Sequence, residues 1–377
     1  MLLNWCKNMS MENKKMRVNY CDFLRLIAII SVILIHVLAD FRDFYLVHDK
    51  KYYFLLTFLD SITRTGVPIF FMLTGFFMLN SKKNESYSLF LKKRLPKLII
   101  PFVLISLLYY IYESHKIGKD ISIMDFFNLF TQNKIKYHFW FMYDIILIYL
   151  IIPFLNKLVN SLKREELKIL IILIYLSNIL GIVKLLSNLF NLDLLGSFIY
   201  PQLIIYINYL FVGYYLRNYD ISQNKKKHIY IFSIISLIMM PIVDFILTGN
   251  LRNDSALVAS SPFSFIMSIG LFIFIKDNYD KIRFNSKAEK ILSYTSEIIF
   301  YIYMMHVIIM ELIKRILIKF ISINSFRSSC LLIFLLFIFT FFISYIVSMI
   351  INLVYKKFET FLKKNKNYIF KYPFLNP

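Results

Sequence analysis

Ten long apolar segments run along the sequence, and they restrict the fold of the chain more than any other feature. About 20 apolar residues are enough for one helix to cross a bilayer. The runs are continuous, whereas the strands of a membrane β-barrel alternate apolar and polar residues. We therefore predict an all-α polytopic integral membrane bundle of about 10 transmembrane helices. The predicted segments are 22–39, 60–79, 96–112, 139–156, 168–186, 198–216, 229–248, 262–276, 298–314 and 330–355.

Lysine and arginine are distributed unevenly between the connecting segments. The connections on the side of both termini carry about twice as many as the other connections. Cytoplasmic loops are enriched in Lys and Arg, so we predict that both termini are cytoplasmic. The net charge of +21 then reflects topology and attraction to lipid headgroups, and it predicts no binding to nucleic acid.

Three regions follow from this pattern: a cytoplasmic N-terminal segment (1–21), a transmembrane domain (22–355) and a basic cytoplasmic tail (356–377).

Three cysteines, Cys6, Cys21 and Cys330, lie far apart and form no CxxC pair. No HExxH sequence, phosphate-binding glycine loop or Ser-His-Asp set is evident. The sequence therefore predicts no metal site and gives no support to a protease, hydrolase or NTPase.

The first apolar segment, DFLRLIAIISVILIHV, contains Arg25 near one end and His36 near the other. In a helix they point within about 20° of one direction and lie about 16 Å apart along the axis. Asp22 is placed to pair with Arg25, and Asp40 lies one turn beyond His36, where it can orient the imidazole. Ionisable groups within a membrane are costly, so they usually face a partner or a cavity.

Two interpretations of this segment remain open from its residues alone. In the first, Arg25 and Asp22 form a structural pair near the interface, and His36 is hydrogen-bonded inside the bundle. In the second, the shared face joins a cation that holds an anionic donor on the cytoplasmic side to a histidine that acts on an acceptor from outside.

Five stretches, taken in order, resemble motifs of the acyltransferase 3 family of membrane-bound acyltransferases. The sequence departs from the family pattern at Thr74 (usually Ser), at Lys97 (often Arg) and at Tyr301 (usually Gly). The five stretches are DFLRLIAIISVILIHV, GVPIFFMLTGFFML, KKRLPKLIIPF, HFWFMYDIILIYLIIPFL and FYIYMMHVII.

The resemblance implies transfer of an acyl group, often acetyl from acetyl-CoA, to hydroxyls of cell-surface glycans or related acceptors. It implies a catalytic role for His36 and acyl-CoA binding by Arg25, Arg94 and Lys97. Asp40 joins the catalytic candidates through its helical spacing from His36. The acyl-CoA would be a co-substrate, with no bound cofactor. The acceptor would be a surface glycan or a lipid-linked saccharide, and the protein a multi-pass component of the bacterial plasma membrane. The alternative is an exporter or flippase of an exopolysaccharide pathway.

Five further residues are candidates for the acceptor side or for a cavity: His138, Trp140, Asp144, Tyr303 and His306. Each has an ordinary structural interpretation as well. Trp140 is placed to anchor at the membrane interface or to stack on a sugar, and the histidines are equally suited to packing within the bundle. Asp144, like Asp244, is expected to pair across helices or to line a cavity.

Glu297 stands at the start of the ninth apolar segment, beside Ser293 and Ser296. We interpret it as an ordinary charge in the first turn of its helix.

Overall fold

The computed structural model describes residues 19–79, 86–189, 202–251, 261–282 and 284–364. These residues form twelve α-helices and two short 3-10 helices, Tyr137–Phe139 and Tyr279–Lys281, with no strand among them. The predicted all-α fold is confirmed. The helices are α1 (Asn19–His48), α2 (Lys50–Thr63), α3 (Gly66–Met78), α4 (Tyr87–Lys116), α5 (Ile123–Thr131), α6 (Trp140–Ser161), α7 (Arg164–Leu189), α8 (Gln202–Asn218), α9 (Gln223–Leu251), α10 (Pro262–Asn278), α11 (Ser286–Leu317) and α12 (Phe326–Lys364).

Seven stretches of the described residues are long and apolar enough to cross a membrane. The other three predicted segments coincide with α7, α8 and α10, of which the last two have 17 residues each. The total of ten spans and the cytoplasmic position of the termini stay predictions. The seven stretches are Asn19–His48, Lys50–Met78, Tyr87–Lys116, Tyr137–Ser161, Gln223–Leu247, Ser286–Leu317 and Phe326–Lys357.

The predicted second segment, 60–79, is longer at its start and is interrupted. Helix α2 begins at Lys50, where the side chain of Asp49 accepts a hydrogen bond from the Lys51 backbone N at 2.9 Å. Such a cap satisfies one of the backbone donors that a helix N-terminus leaves free. The chain turns at Arg64 and Thr65 before α3 begins. The polar character of 50–60 explains why the hydropathy pattern misses this helix.

A buried ionic cluster lies at the break between α2 and α3. The Asp60 carboxylate accepts hydrogen bonds from Nη1 of Arg42 and Nη2 of Arg64, each at 2.6 Å. Asp244 of α9 accepts a hydrogen bond from the Tyr53 hydroxyl at 2.9 Å and lies 3.9 Å from Arg42 Nη2. The predicted pairing of Asp244 across helices is therefore present, and the cluster ties α1, α2 and α9 together.

Helix α1 is central, since it packs against α2, α3, α11 and α12. Helices α3 and α8 approach each other at two glycines. A Cβ atom at Gly75 would lie 2.0 Å from the carbonyl oxygen of Leu210, and one at Gly213 would lie 1.8 Å from that of Met72. No other residue has a side chain small enough for this contact, so the glycines set the distance between the two helices.

Candidate active site

One cavity brings together the three cations that the resemblance assigns to the donor. Arg25 of α1 and both Arg94 and Lys97 of α4 line it. The cavity is partly open, has a volume of about 160 Å³, and its walls are largely apolar. Phe70, Leu73, Phe77, Phe141, Met142 and Ile145 are among the wall residues. Concave apolar walls with a few polar groups are typical of small-molecule sites.

Arg25 is held in place at the edge of this cavity. Its Nη1 donates to Oδ1 of Asp22 at 2.6 Å and to Oγ of Ser296 at 3.0 Å, and Ser296 Oγ donates to the same Asp22 oxygen at 2.7 Å. The Arg25 guanidinium carbon also lies 4.8 Å from the centre of the Phe77 ring. The structural pair with Asp22 is thus present, and Arg25 lines the cavity at the same time.

Arg94 and Lys97 lie three residues apart on α4, a spacing that places both on one helix face. The Arg94 guanidinium carbon lies 4.1 Å from the centre of the Phe90 ring, within the range of a cation–π contact. Both side chains are partly buried. The basic stretch before the third predicted span therefore contributes directly to the cavity wall.

Glu297 also lines the cavity, and its interpretation as a first-turn charge was wrong. Helix α11 begins at Ser286, so Glu297 lies deep within it and is buried. Its carboxylate pairs with Lys356 and accepts a hydrogen bond from Asn352 Nδ2 at 3.4 Å, both on α12. The serines and charges at 286–297 made the sequence look like a loop, although the pairing with Lys356 and Asn352 on α12 allows Glu297 to be buried within a continuous helix.

Three histidines from distant parts of the chain meet in one cluster. The His306 ring centre lies 5.1 Å from that of His36 and 5.2 Å from that of His138, and the His36 and His138 centres are 6.3 Å apart. His138 and His306 are fully buried, whereas His36 is partly exposed. Neither ring nitrogen of His138, nor Nε2 of His306, has a hydrogen-bond partner within the described part of the chain.

The tautomer of His306 follows from its one hydrogen bond. Its Nδ1 lies 2.6 Å from the Tyr303 carbonyl oxygen, which can only accept, so Nδ1 carries the proton. A neutral His306 ring then has an unprotonated Nε2. This nitrogen is able to accept a proton or a hydrogen bond from a neighbouring group.

Tyr303 separates the cavity from the histidine cluster. It lines the cavity, and its ring centre lies 5.8 Å from that of His138 and 5.7 Å from that of His306. Its hydroxyl donates to the backbone carbonyl of His138. One aromatic side chain therefore forms the wall between the cation-lined cavity and the three histidines.

The cations and the outer edge of the histidine cluster lie toward opposite ends of the bundle. On α4, Glu113 lies about 24 Å along the axis from Lys97. On α11, Glu311 lies about 21 Å from the cavity residue Glu297. Lys136 bridges Glu113 and Glu311, so both carboxylates belong to the end away from the cations. We refer to these as the cation end and the Lys136 end.

Asp40 is placed differently from the sequence prediction. Its carboxylate is 51% exposed and accepts from Nζ of Lys314 at 2.5 Å, at the Lys136 end. Within the described residues no hydrogen bond joins it to His36. Helical spacing put the two on one side of α1, but the ion pair with α11 determines where the carboxylate points. A catalytic role for Asp40 stays a prediction, without the contact that motivated it.

Trp140 and Asp144 lie on α6 beside the site rather than in it. The Trp140 ring stacks on Tyr206 with ring centres 5.6 Å apart and meets Phe141 edge-on. Its face is therefore occupied by the protein. Asp144 is partly buried and is absent from the cavity lining. Their proposed acceptor-side roles remain untested.

No group of three His, Cys, Asp or Glu side chains in the described ranges has an arrangement that could hold a metal ion. The three histidines are included in that statement.

A comparison with protein families gives one match over most of the chain. A family model described as an acyltransferase domain, Acyl_transf_3, matches residues 18–352. The chain belongs to the acyltransferase 3 family. No curated protein and no solved structure gives a significant match. The suspected resemblance is confirmed, and the chain is a membrane acyltransferase in general terms.

Each of the five acyltransferase 3 stretches contributes to the cavity or to the histidine cluster. The three departures from the family pattern, Thr74, Lys97 and Tyr301, all line the cavity. The histidines were recognisable as separate motif residues, but their meeting was not predicted, because it depends on packing between α1, α6 and α11. Tyr149 also lines the cavity, and no sequence pattern predicted this, because tyrosines are common in apolar helices.

Proposed function

We propose that this acyltransferase 3 protein transfers an acyl group, most simply acetyl, from cytosolic acyl-CoA to a hydroxyl of a cell-surface or lipid-linked saccharide. One observation carries the proposal: the cavity lined by Arg25, Arg94 and Lys97 ends at Tyr303, directly against the histidine cluster. A donor bound there would have its anionic part among the cations and its thioester near the histidines.

The cavity suits the chemistry of acyl-CoA. Its phosphates are anionic, and guanidinium and ammonium groups bind phosphate through charge-assisted hydrogen bonds. The pantetheine arm and acyl chain are mostly apolar and fit the apolar walls. The cation end would then face the cytoplasm, as the loop charges predict. The apolar walls are less suited to a polysaccharide exporter, which needs a wide polar lumen, so the acyltransferase proposal is the stronger one.

His36 is the residue to which we assign the chemical step. Acting as a general base, His36 takes the proton of the acceptor hydroxyl while the oxygen attacks the thioester carbonyl. The C–S bond then breaks, and the CoA thiolate leaves and takes up a proton. Acting as an acyl carrier, an unprotonated ring nitrogen attacks the thioester first, and the acceptor hydroxyl then takes the acyl group from the imidazole.

Membranes containing the wild type or His36→Ala, supplied with radiolabelled acetyl-CoA, test the proposal. We expect His36→Ala to lower labelling of the saccharide fraction by roughly 100-fold or more, the usual effect of losing a general base. The control is His48→Ala, which changes an exposed histidine stacked on Phe44 at the end of the same helix. Equal labelling by the wild type and His36→Ala would remove His36 from the mechanism. Label retained on the wild-type protein without acceptor would favour the carrier route.

A further inference from the structure

Tyr137 is the exposed ring beside the histidine cluster. It belongs to the 3-10 helix before α6, and its side chain is 55% exposed. Its ring centre lies 5.2 Å from that of His36 and 5.8 Å from that of His138. His138 and His306 are fully buried, so a molecule that approaches His36 from the Lys136 end meets Tyr137 first.

An ionic bridge fixes the backbone next to Tyr137. Lys136 Nζ lies 2.5 Å from Oε1 of Glu113 and 2.6 Å from Oε1 of Glu311, which joins α4 and α11 through this residue. Burial lowers the pKa of Lys136, but its hydrogen bonds to the two carboxylates raise the pKa above its ordinary value on balance. Lys136 therefore stays charged, and the bridge holds Tyr137 in position.

The surroundings of Tyr137 are polar, although the ring itself is apolar. The half-exposed Asp40–Lys314 pair lies at this end of the bundle, as does the Lys136 bridge. Charged groups such as these belong at a water-facing surface and not against lipid. Lys136 Nζ lies over the Tyr137 ring, 6.0 Å from its centre, and the exposed part of the ring is available to a water-borne ligand.

We propose that Tyr137 is the acceptor platform: its ring stacks on the apolar face of a pyranose and so places a hydroxyl of that sugar at His36. This inference rests on the proposed function and names the group that receives the acceptor. A pyranose ring has a C–H face that matches an aromatic ring and a rim of hydroxyls that matches carboxylates. Glu311, whose side chain is 23% exposed and pairs with Lys136 through Oε1, provides such a carboxylate at the same end of the bundle.

The neighbouring Trp140 is the alternative aromatic residue, and the geometry favours Tyr137. Trp140 already stacks on Tyr206, whereas Tyr137 has more than half of its side chain open. Tyr137 also contacts His36 directly. The sugar-stacking role that the sequence suggested for Trp140 is therefore transferred to the residue three positions earlier.

The test compares two fates of the acyl group in purified full-length protein: transfer to soluble N-acetylglucosamine oligosaccharides, and hydrolysis by water. Tyr137→Ala should lower the ratio of transfer to hydrolysis by roughly tenfold, a change of about 1.4 kcal/mol, and raise the KM for the oligosaccharide, because the ring that positions the sugar is lost. Tyr137→Phe retains the ring and should keep the ratio within about twofold of the wild type.

Phe127→Ala is the matched control, because Phe127 is a similarly exposed aromatic residue (53%) on α5. It should leave the ratio unchanged. If Tyr137→Ala keeps the wild-type ratio, or lowers transfer and hydrolysis equally, the platform role is overturned while the proposed function stands. If the wild type hydrolyses acetyl-CoA but transfers to no saccharide, the saccharide acceptor itself is refuted, and the platform with it.

Discussion

Tyr301 is the largest departure from the family pattern among the residues that line the cation-lined cavity. It is fully buried and lines the cavity at a position where the pattern has glycine. A phenol ring in place of a hydrogen atom reduces the space for an acyl chain. We infer that Tyr301 contributes to a preference for short acyl groups, such as acetyl.

Replacing Tyr301 with Ala should widen the range of donors. We expect the ratio of kcat/KM for octanoyl-CoA to that for acetyl-CoA to rise by roughly tenfold or more, since even one methylene group changes binding by about 1–3 kcal/mol. The ratio is measured on one preparation, so a loss of folded protein cancels. Tyr301→Phe keeps the ring and should keep the wild-type ratio. An unchanged ratio in Tyr301→Ala would show that another residue limits the chain length.

Single residues also show which parts of the site can be predicted from the local sequence pattern. Helical spacing correctly placed Arg25 and His36 on α1, because both lie on one continuous helix. It failed for Asp40, whose carboxylate pairs with Lys314, and for Glu297, whose partners are on α12. Charged side chains pair with partners on neighbouring helices, and a single-helix pattern contains no information about those neighbours.

At the scale of elements, the contact between α3 and α8 depends on two glycines. Gly75→Ala and Gly213→Ala each add a methyl group within about 2 Å of a backbone carbonyl, where no side-chain rotation relieves the clash. We expect each change to lower the free energy of unfolding by roughly 1–3 kcal/mol or more. Thermal unfolding in detergent measures this change as a lower midpoint temperature.

Gly270→Ala on α10 is the control for this pair. Its added methyl group would lie 2.2 Å from the Ser233 hydroxyl oxygen, which can rotate away, and 2.9 Å from the Ser233 Cβ, a milder contact than those at Gly75 and Gly213. The midpoint should therefore fall less than in the α3 or α8 variants. Equal falls in all three would mean that the loss comes from helix glycines in general and not from the close approach of α3 and α8.

Element boundaries were predicted well where hydropathy alone determines them and poorly where ions are buried. Helix α2 was missed because Lys50, Lys51 and Asp60 make its sequence look like a loop. Its Asp60 is paired inside the bundle, which removes the cost of burying that charge. A hydropathy pattern cannot anticipate such pairing, since the partner Arg42 lies on another helix.

At the scale of the whole molecule, the cation cavity and the histidine cluster are separated by Tyr303. The three cations line the cavity, and the exposed Tyr137 lies beside His36 at the Lys136 end. Tyr303 and His306 are one turn apart on α11, so the two compartments come within about 5 Å of each other along that helix. The sequence could not predict this thin wall, because it is formed by α1, α6 and α11 together.

Removal of the Tyr303 ring should join the two compartments. In proteoliposomes that contain a pH-sensitive dye, we expect Tyr303→Ala to leak protons faster than the wild type after a pH jump, because water can then occupy a continuous path. Tyr303→Phe retains the ring, and its rate of proton leak should equal that of the wild type. A Tyr303→Ala protein that leaks no faster would show that other side chains complete the seal.

The thin wall has a consequence for cellular energetics if the proposed reaction is correct. Only the acyl group would cross the barrier, over about one helical turn, while coenzyme A stayed inside and the glycan stayed outside. The free energy of the thioester bond would then drive the crossing itself. A bacterium could decorate its surface without spending an ion gradient or ATP on exporting an activated donor.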